Sequence, residues 1–501
     1  LTPFKTRLRA CCQFSDESNE LVRKSKMDIK EFEKAQKKLL EDPEIAQAWC
    51  EYQSQFSYVS AYFRRAEQYK NQISIVNGKK AGTDINLYKL FLEQCFNLLR
   101  EGGRCGIILP TGIYTDLGAK QLREMLFMQC KLDNLFGISN ERFIFEGVDH
   151  RFKFCLIDFE KGKSTESFHS AFRIDPREAV RPDELATFLH DQTQQLEIPV
   201  SLVRQLSPDS LSVMEFKQAI DITIAKKMLQ FPLLGEKIEG KWNLKLTCEF
   251  HMTNDSYLFK TEPAPGRLPL YEGKMIHQFT HQFAEPRYWV DEQEGRKAVL
   301  GKNGVDQGQK LDYQGYRFTY RSVAASTNER TLISSIIPNN VFFGHSMNAC
   351  VLNDGNNFLI NNQEILFLTA CLNSYVFDYA LRQRVSQNLT MFYIYQLPVP
   401  RLQEGDQWFR EIVERAAKLI CTTPEFDDLA KEVGLGSHKN GVTNEIERGR
   451  LRAELDGIIA HLYGLTEAEF AHILSTFPLV PDATKQAALQ AYRDVERGVI
   501  P

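Results

Sequence analysis

Hydrophobic positions recur at helical spacing near the start of the chain and give way to strand-like runs further on. Between Glu17 and about Asn71, in a segment rich in Glu, Lys, Gln and Ala, one helical stripe carries Ile29, Phe32, Ala35 and Leu39, then Ile45, Ala48, Trp49, Tyr52 and Phe56. The pattern predicts a helical hairpin broken near Asp42-Pro43, and its composition reads as a solvated spacer. LYKLFLEQCFNLLREGG predicts an amphipathic helix stopped by glycines, and RCGIILP a short apolar strand stopped by proline. GIYTDLGAKQLREMLFMQC predicts a loop and a second helix with Asp116 as its cap, followed by strands in LDNLFGI and RFKFCLIDFEKG. Strand, helix, strand and strand form the closing half of a doubly wound sheet when the first two strands are parallel.

The pattern then weakens. Ser164 to about Glu236 is mixed and charged, with Pro176, Pro182, Pro199 and Pro208 and a helix expected from Met214 to Leu229, so it reads as a connector. From Lys237 to Arg401 the chain turns to Tyr, Phe, Val, Thr, Asn and Gly, which predicts a mainly β domain with a few helices, one of them EILFLTACLNSYVFDYALRQR. The last stretch returns to helix, and GRLRAELDGIIAHLYGL places Leu451, Leu455, Ile458, Ile459 and Leu462 on one face. The expected fold class is therefore α/β, a partial Rossmann-like sheet, joined to a mainly β, mixed domain and a helical carboxy-terminal region. The expected boundaries are 1–75 for the helical appendage, 76–165 for the half sheet, 166–236 for the connector, 237–400 for the β domain and 401–501 for the tail.

Length and composition fit this division. At 501 residues the chain has room for about three domains with real cores. Its 61 basic against 65 acidic residues do not advertise a nucleic-acid partner, although a basic groove fits inside a near-neutral chain. The eleven cysteines form no CxxC and sit in apolar surroundings, so they read as reduced core residues of a cytoplasmic protein, with no metal site and no disulfide framework. No apolar run has the ~18 residues of a membrane span, so no membrane partner is expected. The start, LTPFKTRLRACCQF, has no initiator Met and no signal-peptide core, and is expected to lie mid-protein.

An ordered series of motifs adds to this. DINLYKLFLEQCFNLLREGGRCGIILPTGIYTD, LFGISNERFIFEGVDHRFKFCLIDFEKG, LPLYEGKMIHQF, RTLISSIIPNNVFFGHS, LTACLNSYVFDYALRQR with MFYIYQLPVP, and HLYGLTEAEFAHIL follow one another between Asp84 and Val480. The series resembles the carboxy-terminal two-thirds of gamma-class adenine-specific DNA methyltransferases, especially large modification methylases and type IIG restriction-modification enzymes with a TaqI-like recognition domain. The resemblance implies that Phe91, with Asn86 near it, lines the adenine pocket of S-adenosylmethionine, where an aromatic face suits a purine. Without the resemblance, Phe91 is equally a core residue of its helix, and Asn86 and Tyr88 cap and pack it. Pro110, Thr111 and Gly112 would lie beside the substrate cleft and shape its backbone. Phe145, with Phe143 close behind, would stack on an extruded adenine, an enzyme acting on a paired base having to flip it out; the competing reading is a core Phe in a β-hairpin, because RFIF alternates polar and apolar residues.

The sequence also departs from that family. These enzymes polarise the adenine amino group with an [NDS]PP[YFW] loop and bind cofactor on a Gly-rich turn, both upstream of the Phe91 motif. Neither occurs here, the GxG at Gly434 to Gly436 being late and in the wrong context. The chain alone is therefore expected not to methylate, and it reads as the piece left after the catalytic start is removed by a gene break, a split subunit or a partial gene model; in the split case an upstream-encoded amino-terminal methyltransferase polypeptide is the expected partner. No PD-(D/E)xK nuclease constellation is found.

The partner implied is double-stranded DNA. YEGKMIHQF resembles a strand pair that opens the recognition domain, with Lys274, His277 and His281 approaching DNA. Beyond it Arg287, Arg296, Lys297, Lys302, Lys310, Arg317, Arg321 and Arg330 interleave with Tyr288, Trp289, Tyr313, Tyr316, Phe318 and Tyr320. Such interleaving suits phosphate contact, and also suits a solvated β surface whose Glu285, Asp291, Glu292 and Glu294 cancel the bases. The helix with LNS near its start, its polar loop and a strand-like run into LPVP make Arg382, Arg384, Gln387 and Asn388 further candidates. His438, His461 and His472 lack ligand-like spacing. The expected function is site-specific adenine methylation in restriction-modification or phage defence, and the alternative is a non-catalytic, sequence-specific DNA-recognition subunit.

Overall fold

The computed structural model describes residues 29–76, 78–80, 85–301, 304–324, 328–354, 357–384 and 388–500. Asp84, Lys302 and Gln387, singled out above, lie outside these residues. The chain forms two compact units, Leu1–Asp133 with Ile157–Thr165, and Asn134–Leu156 with Glu166–Pro501.

In the first unit the helical segment breaks where the sequence places the break. Between α1 (Ile29–Leu39) and α2 (Pro43–Arg65), the Asp42 carboxylate accepts the N–H of Glu44 at 2.9 Å and of Ile45 at 3.4 Å, and Pro43 opens the helix. Helix α3 (Leu87–Leu98) buries Leu90, Leu92 and Phe96 and leaves Leu87, Phe91 and Leu98 exposed. Its Glu93 is buried and accepts the Asn71 N–H (2.9 Å), Asn71 Nδ2 (2.8 Å) and Gln72 Nε2 (2.7 Å), fastening the turn Glu67–Gln72 to the helix. Strand β1 (Arg104–Pro110) and helix α4 (Lys120–Gln129) follow. Asp116 does not cap α4, because a 3-10 turn, Leu117–Ala119, intervenes and leaves Ala119 at the helix start.

Strands β2 (Cys130–Ser139), β3 (Lys153–Lys161), β4 (Ser167–Arg173) and β5 (Leu196–Pro199) follow, and within the second unit they give a sheet with the hydrogen-bonded order β2-β4-β5. Strand β4 runs parallel to β2, from Asn134↔His169 to Ile138↔Arg173, and β5 runs antiparallel to β4. The supposed connector thus adds two strands to the sheet. The apolar residues Phe168, Ala171 and Phe172 of β4 are buried, while His169 between them is exposed.

The rest of the second unit is β followed by helix. Helix α5 (Ala219–Met228) starts later than Met214, because the Asp221 carboxylate accepts the N–H of Lys217 (2.8 Å) and Gln218 (2.9 Å) and fixes the first turn there. Two four-stranded sheets are built from β6 (Leu246–Thr247), β7 (Phe259–Lys260), β8 (Arg267–Tyr271), β9 (Tyr288–Asp291), β10 (Arg317–Arg321), β11 (Ser334–Ile337), β12 (Phe342–Phe343) and β13 (Met347–Cys350). Their orders are β12-β8-β9-β7 and β11-β10-β13-β6. Of the expected YEGKMIHQF strand pair only the first is a strand; the remainder is a 3-10 turn, Gly273–Met275, and a tight turn.

The EILFLTACLNSYVFDYALRQR segment is two helices. Helices α6 (Asn362–Asn373) and α7 (Tyr375–Arg382) break at Ser374, whose ψ is 159°, and the Tyr375 N–H donates to the buried Asp456 carboxylate at 2.9 Å. MFYIY is a helix, α8 (Met391–Tyr395), where a strand-like run was expected; it buries Ile394, and its Tyr395 hydroxyl accepts the Leu246 N–H at 2.7 Å. The tail carries α9 (Phe409–Ile420), α10 (Glu445–Leu462), α11 (Glu467–Ser475) and α12 (Asp482–Glu496). Leu451, Leu455, Ile458 and Ile459 of α10 are buried as the spacing predicts, with Leu462 half-buried. Asp221 Oδ1 accepts hydrogen bonds from the Tyr379 hydroxyl and from His472 Nε2, each at 2.6 Å, joining α5, α7 and α11. Among the described residues no helix is long and apolar enough to cross a membrane, and no three His, Cys, Asp or Glu side chains cluster to hold a metal.

Candidate functional site

The loop after β2 is organised by one buried amide. Asn140 is fully buried; its Nδ2 donates to the carbonyls of Phe145 (3.0 Å) and Val148 (2.9 Å), and its Oδ1 accepts the Phe145 N–H (2.9 Å). Its own N–H donates to the Phe152 carbonyl at 2.9 Å, so residues 143–152 wind around a single side chain. They form no strand, which removes the hairpin reading of RFIF. Phe143 takes a left-handed φ of 50°. Phe145 is 38% exposed, its ring held edge-on by Phe154 at 4.9 Å. Phe143, Val148 and Phe152 are exposed as well, and together they form an apolar loop tip.

In the first unit, Phe91 stands out from α3 at 61% exposure, so it is not a core residue of its helix among the described residues. Asn86 is exposed at the N-terminus of α3 and makes no side-chain cap bond. The start of α3 lies against the loop after β1: a Cβ at Gly112 would sit 2.8 Å from the Tyr88 hydroxyl and 2.5 Å from Asp116 Oδ2, so any larger residue there would push these two side-chain ends aside. Pro110 is exposed at the end of β1. Arg123 holds the loop from behind. It is buried, and donates to the carbonyls of Ile113 and Asp116 at 2.7 Å each. The sequence reading passed over Arg123 and Asn140; the signal for Arg123 was a charge on the same helical stripe as Leu122, Leu126 and Phe127.

The recognition candidates separate by burial. Lys274 is exposed, paired with Glu272 at 3.3 Å; Asn388 is exposed and bridges to Val323; His277 and Arg321 are half-buried neighbours. Arg317 belongs to the interior, not to a DNA face. It is fully buried, bonds Glu249 and donates to the Val341 carbonyl at 2.6 Å, four consecutive residues of its strand, Arg317 to Tyr320, being buried so that both faces of β10 are covered. Arg384 is likewise interior, donating to Gln396 Oε1 at 2.7 Å, and burial pushes its pKa down to about 10. Arg382 is largely committed to the Asp378 carboxylate and to the carbonyls of Asn328 and Glu329. His281 is buried between the Tyr271 and Thr423 hydroxyls, and burial lowers its pKa to about 4. Arg330 is buried against Asp378 at 2.7 Å.

Residues 6–145 match the Eco57I restriction-modification methylase family. The match contains Asn86, Phe91, Pro110, Gly112 and Phe145, and the recognition candidates lie beyond it. Among solved structures, the chain is similar to the type IIG restriction endonuclease BpuSI, at 14% identity and a TM-score of 0.30 over 83% of this chain and 50% of that one. It is similar to the type IIL restriction-modification enzyme MmeI, solved in complex with DNA, at 12% identity and a TM-score of 0.40 over 80% of this chain and 52% of that one. The M protein of the type I restriction enzyme EcoKI gives 15% identity and a TM-score of 0.22 over 30% and 44%. The chain spans about half the length of the BpuSI and MmeI chains. A comparison with curated proteins gave no match.

Proposed function

We propose that this chain is part of a site-specific DNA adenine methyltransferase of a restriction-modification system. The observation that carries the reading is the Eco57I match, which holds both exposed rings, Phe91 and Phe145. S-adenosylmethionine would supply the methyl group. The residues present fit its adenine end: Phe91 offers a flat apolar face and Asn86 an exposed amide that makes no cap bond, at the start of the helix preceding β1. Phe145, fixed through Asn140, stacks on the extruded adenine and recovers about 1–3 kcal/mol of lost stacking. Pro110 and Gly112 shape the adjacent loop, with Arg123 behind it. The second unit binds duplex DNA, with Lys274, His277, Arg321 and Asn388 facing it. We place the protein in the cytoplasm.

The sequence holds no [NDS]PP[YFW] loop and no Gly-rich turn ahead of Phe91. In the complete enzyme the groups that polarise the adenine amino nitrogen would be supplied by residues other than these, either earlier in the same protein or on an upstream-encoded amino-terminal methyltransferase polypeptide, and without them no methyl transfer is expected. That same absence favours one other reading, a non-catalytic subunit that lends DNA specificity to a partner.

Tritium transfer from labelled S-adenosylmethionine to mixed-sequence duplex DNA decides between them, run with this chain alone and with any upstream-encoded polypeptide added. Transfer only with the second piece, lost again in Phe91→Ala and Phe145→Ala, supports the methyltransferase. Salt-sensitive binding to particular duplexes without transfer in either case supports the recognition subunit.

A further inference from the structure

The turn after β8 carries backbone strain that its neighbours maintain. His277 and Thr280 exchange backbone hydrogen bonds at 2.8 and 3.0 Å, and between them Phe279 has φ 58°. A bulky residue rarely adopts that conformation, and it persists only where the surroundings enforce it. Here they do. The Phe279 ring is buried, its N–H donates to the Ser334 carbonyl at 3.2 Å, and its carbonyl accepts Arg448 Nη2 at 3.3 Å.

This turn displays an aromatic ring. Phe283 is 60% exposed, although its N–H is fixed to the Met275 carbonyl at 2.9 Å. The His277 ring stacks beside it, with centroids 4.7 Å apart and planes 30° from parallel, and the Arg321 guanidinium stands 5.7 Å from its centroid. Arg321 is anchored by the Ile276 carbonyl at 2.9 Å, and among the described residues it has no carboxylate partner within ion-pair distance. Behind the turn lies a cavity of about 610 Å³ to which His277, Arg321, Arg330 and Arg452 contribute, with Glu329, Glu445 and Asp456 as acids. Glu445 is engaged by Arg452 at 3.5 Å. Burial, then Arg321, Arg452 and Arg330, drives the His277 pKa down to about 4 against Glu445, so its ring is neutral at physiological pH and the guanidinium beside Phe283 is that of Arg321.

An exposed ring, rigidly held beside a guanidinium with no carboxylate partner among the described residues, suits a wedge that enters and partly unstacks a base step of a duplex while the cation meets the flanking phosphate. We propose that Phe283 is a base-stacking residue of the DNA-binding face, supported by His277 and Arg321. The inference rests on DNA being the partner of this unit, and it adds a residue outside every motif of the sequence.

The test is fluorescence anisotropy of a short, labelled, mixed-sequence duplex with this chain at low salt, which needs no cofactor and no second polypeptide. Phe283→Ala weakens binding roughly 5- to 100-fold, whereas Phe283→Trp retains it. The salt slope stays the same, since no charge is removed, and thermal melting stays the same, since the ring is exposed. Wild-type binding with an equally tight Phe283→Ala variant overturns the inference and leaves the DNA reading standing. No duplex binding by wild type removes both. Loss of concentration-dependent self-association in Phe283→Ala, with DNA binding intact, assigns the ring to a contact with a second copy and also overturns the inference.

Discussion

Asn140→Ala removes the one side chain around which the Phe145 loop winds. Three bonds go: Nδ2 to the Phe145 and Val148 carbonyls and Oδ1 from the Phe145 N–H, all between 2.9 and 3.0 Å. At about 1 kcal/mol net each, the loop loses about 2–3 kcal/mol of order, toward the lower end where freed groups reach water. The bonds link only residues 140–148, so the loss falls on local opening and little on global unfolding. Native-state hydrogen exchange reads this directly. The Phe145 amide should exchange roughly 30- to 150-fold faster than in wild type, while amides of β4 keep their rates. Asn140→Asp should fall between, since it keeps the acceptor for the Phe145 N–H and loses both donors. Unchanged exchange at Phe145, or an equal acceleration across β4, would refute the idea that this amide organises the loop.

Two further outcomes follow from buried charge. Arg317→Met should cost about 3–5 kcal/mol in urea unfolding, because it strands Glu249 in the interior, yet leave the salt dependence of DNA binding as it was; a shallower salt slope would put Arg317 on phosphate after all. Burial pushes the Asp456 carboxyl up to about 7, against Arg330 and the Tyr375 N–H. An unfolded Asp titrates near ~4, so between about pH 4 and 7 the folded state holds the extra proton, and stability falls as pH rises through that window. Asp456→Asn should flatten this slope in denaturation midpoints measured across the window, and a slope of the opposite sign would contradict the assignment.

Local chemistry was readable where it was self-contained. Asp42-Pro43 breaks the helical segment with its own side chain and ring, and α10 buries the stripe that its spacing predicts. What escaped depended on partners distant in sequence. RFTYR alternates like a half-exposed strand, but β11 and β13 flank it and its Arg317 meets Glu249 from 68 residues away. Strands β4 and β5 hid in a proline-bearing segment because they gain regularity from the sheet they join. MFYIY has strand-forming residues and still folds as a turn of helix, β propensity being a preference that packing overrides. In the candidate site, the rings Phe91 and Phe145 were singled out through the motifs they lie in, and both are exposed. The side chains that position the loops, Asn140 and Arg123, are ordinary residues whose role exists only in three dimensions.

The meeting of Asp221 with Tyr379 and His472 also sets an order of events during synthesis. Asp221 finds its first two partners, the N–H groups of Lys217 and Gln218, within its own turn, but Tyr379 comes 158 residues later and His472 251 residues later. A ribosome adding ~5–20 residues per second leaves that carboxylate waiting roughly 12–50 s for its imidazole. A chain that ends before α11 never completes the junction, so a lesion in the tail is felt as a loosened α5 half a protein away.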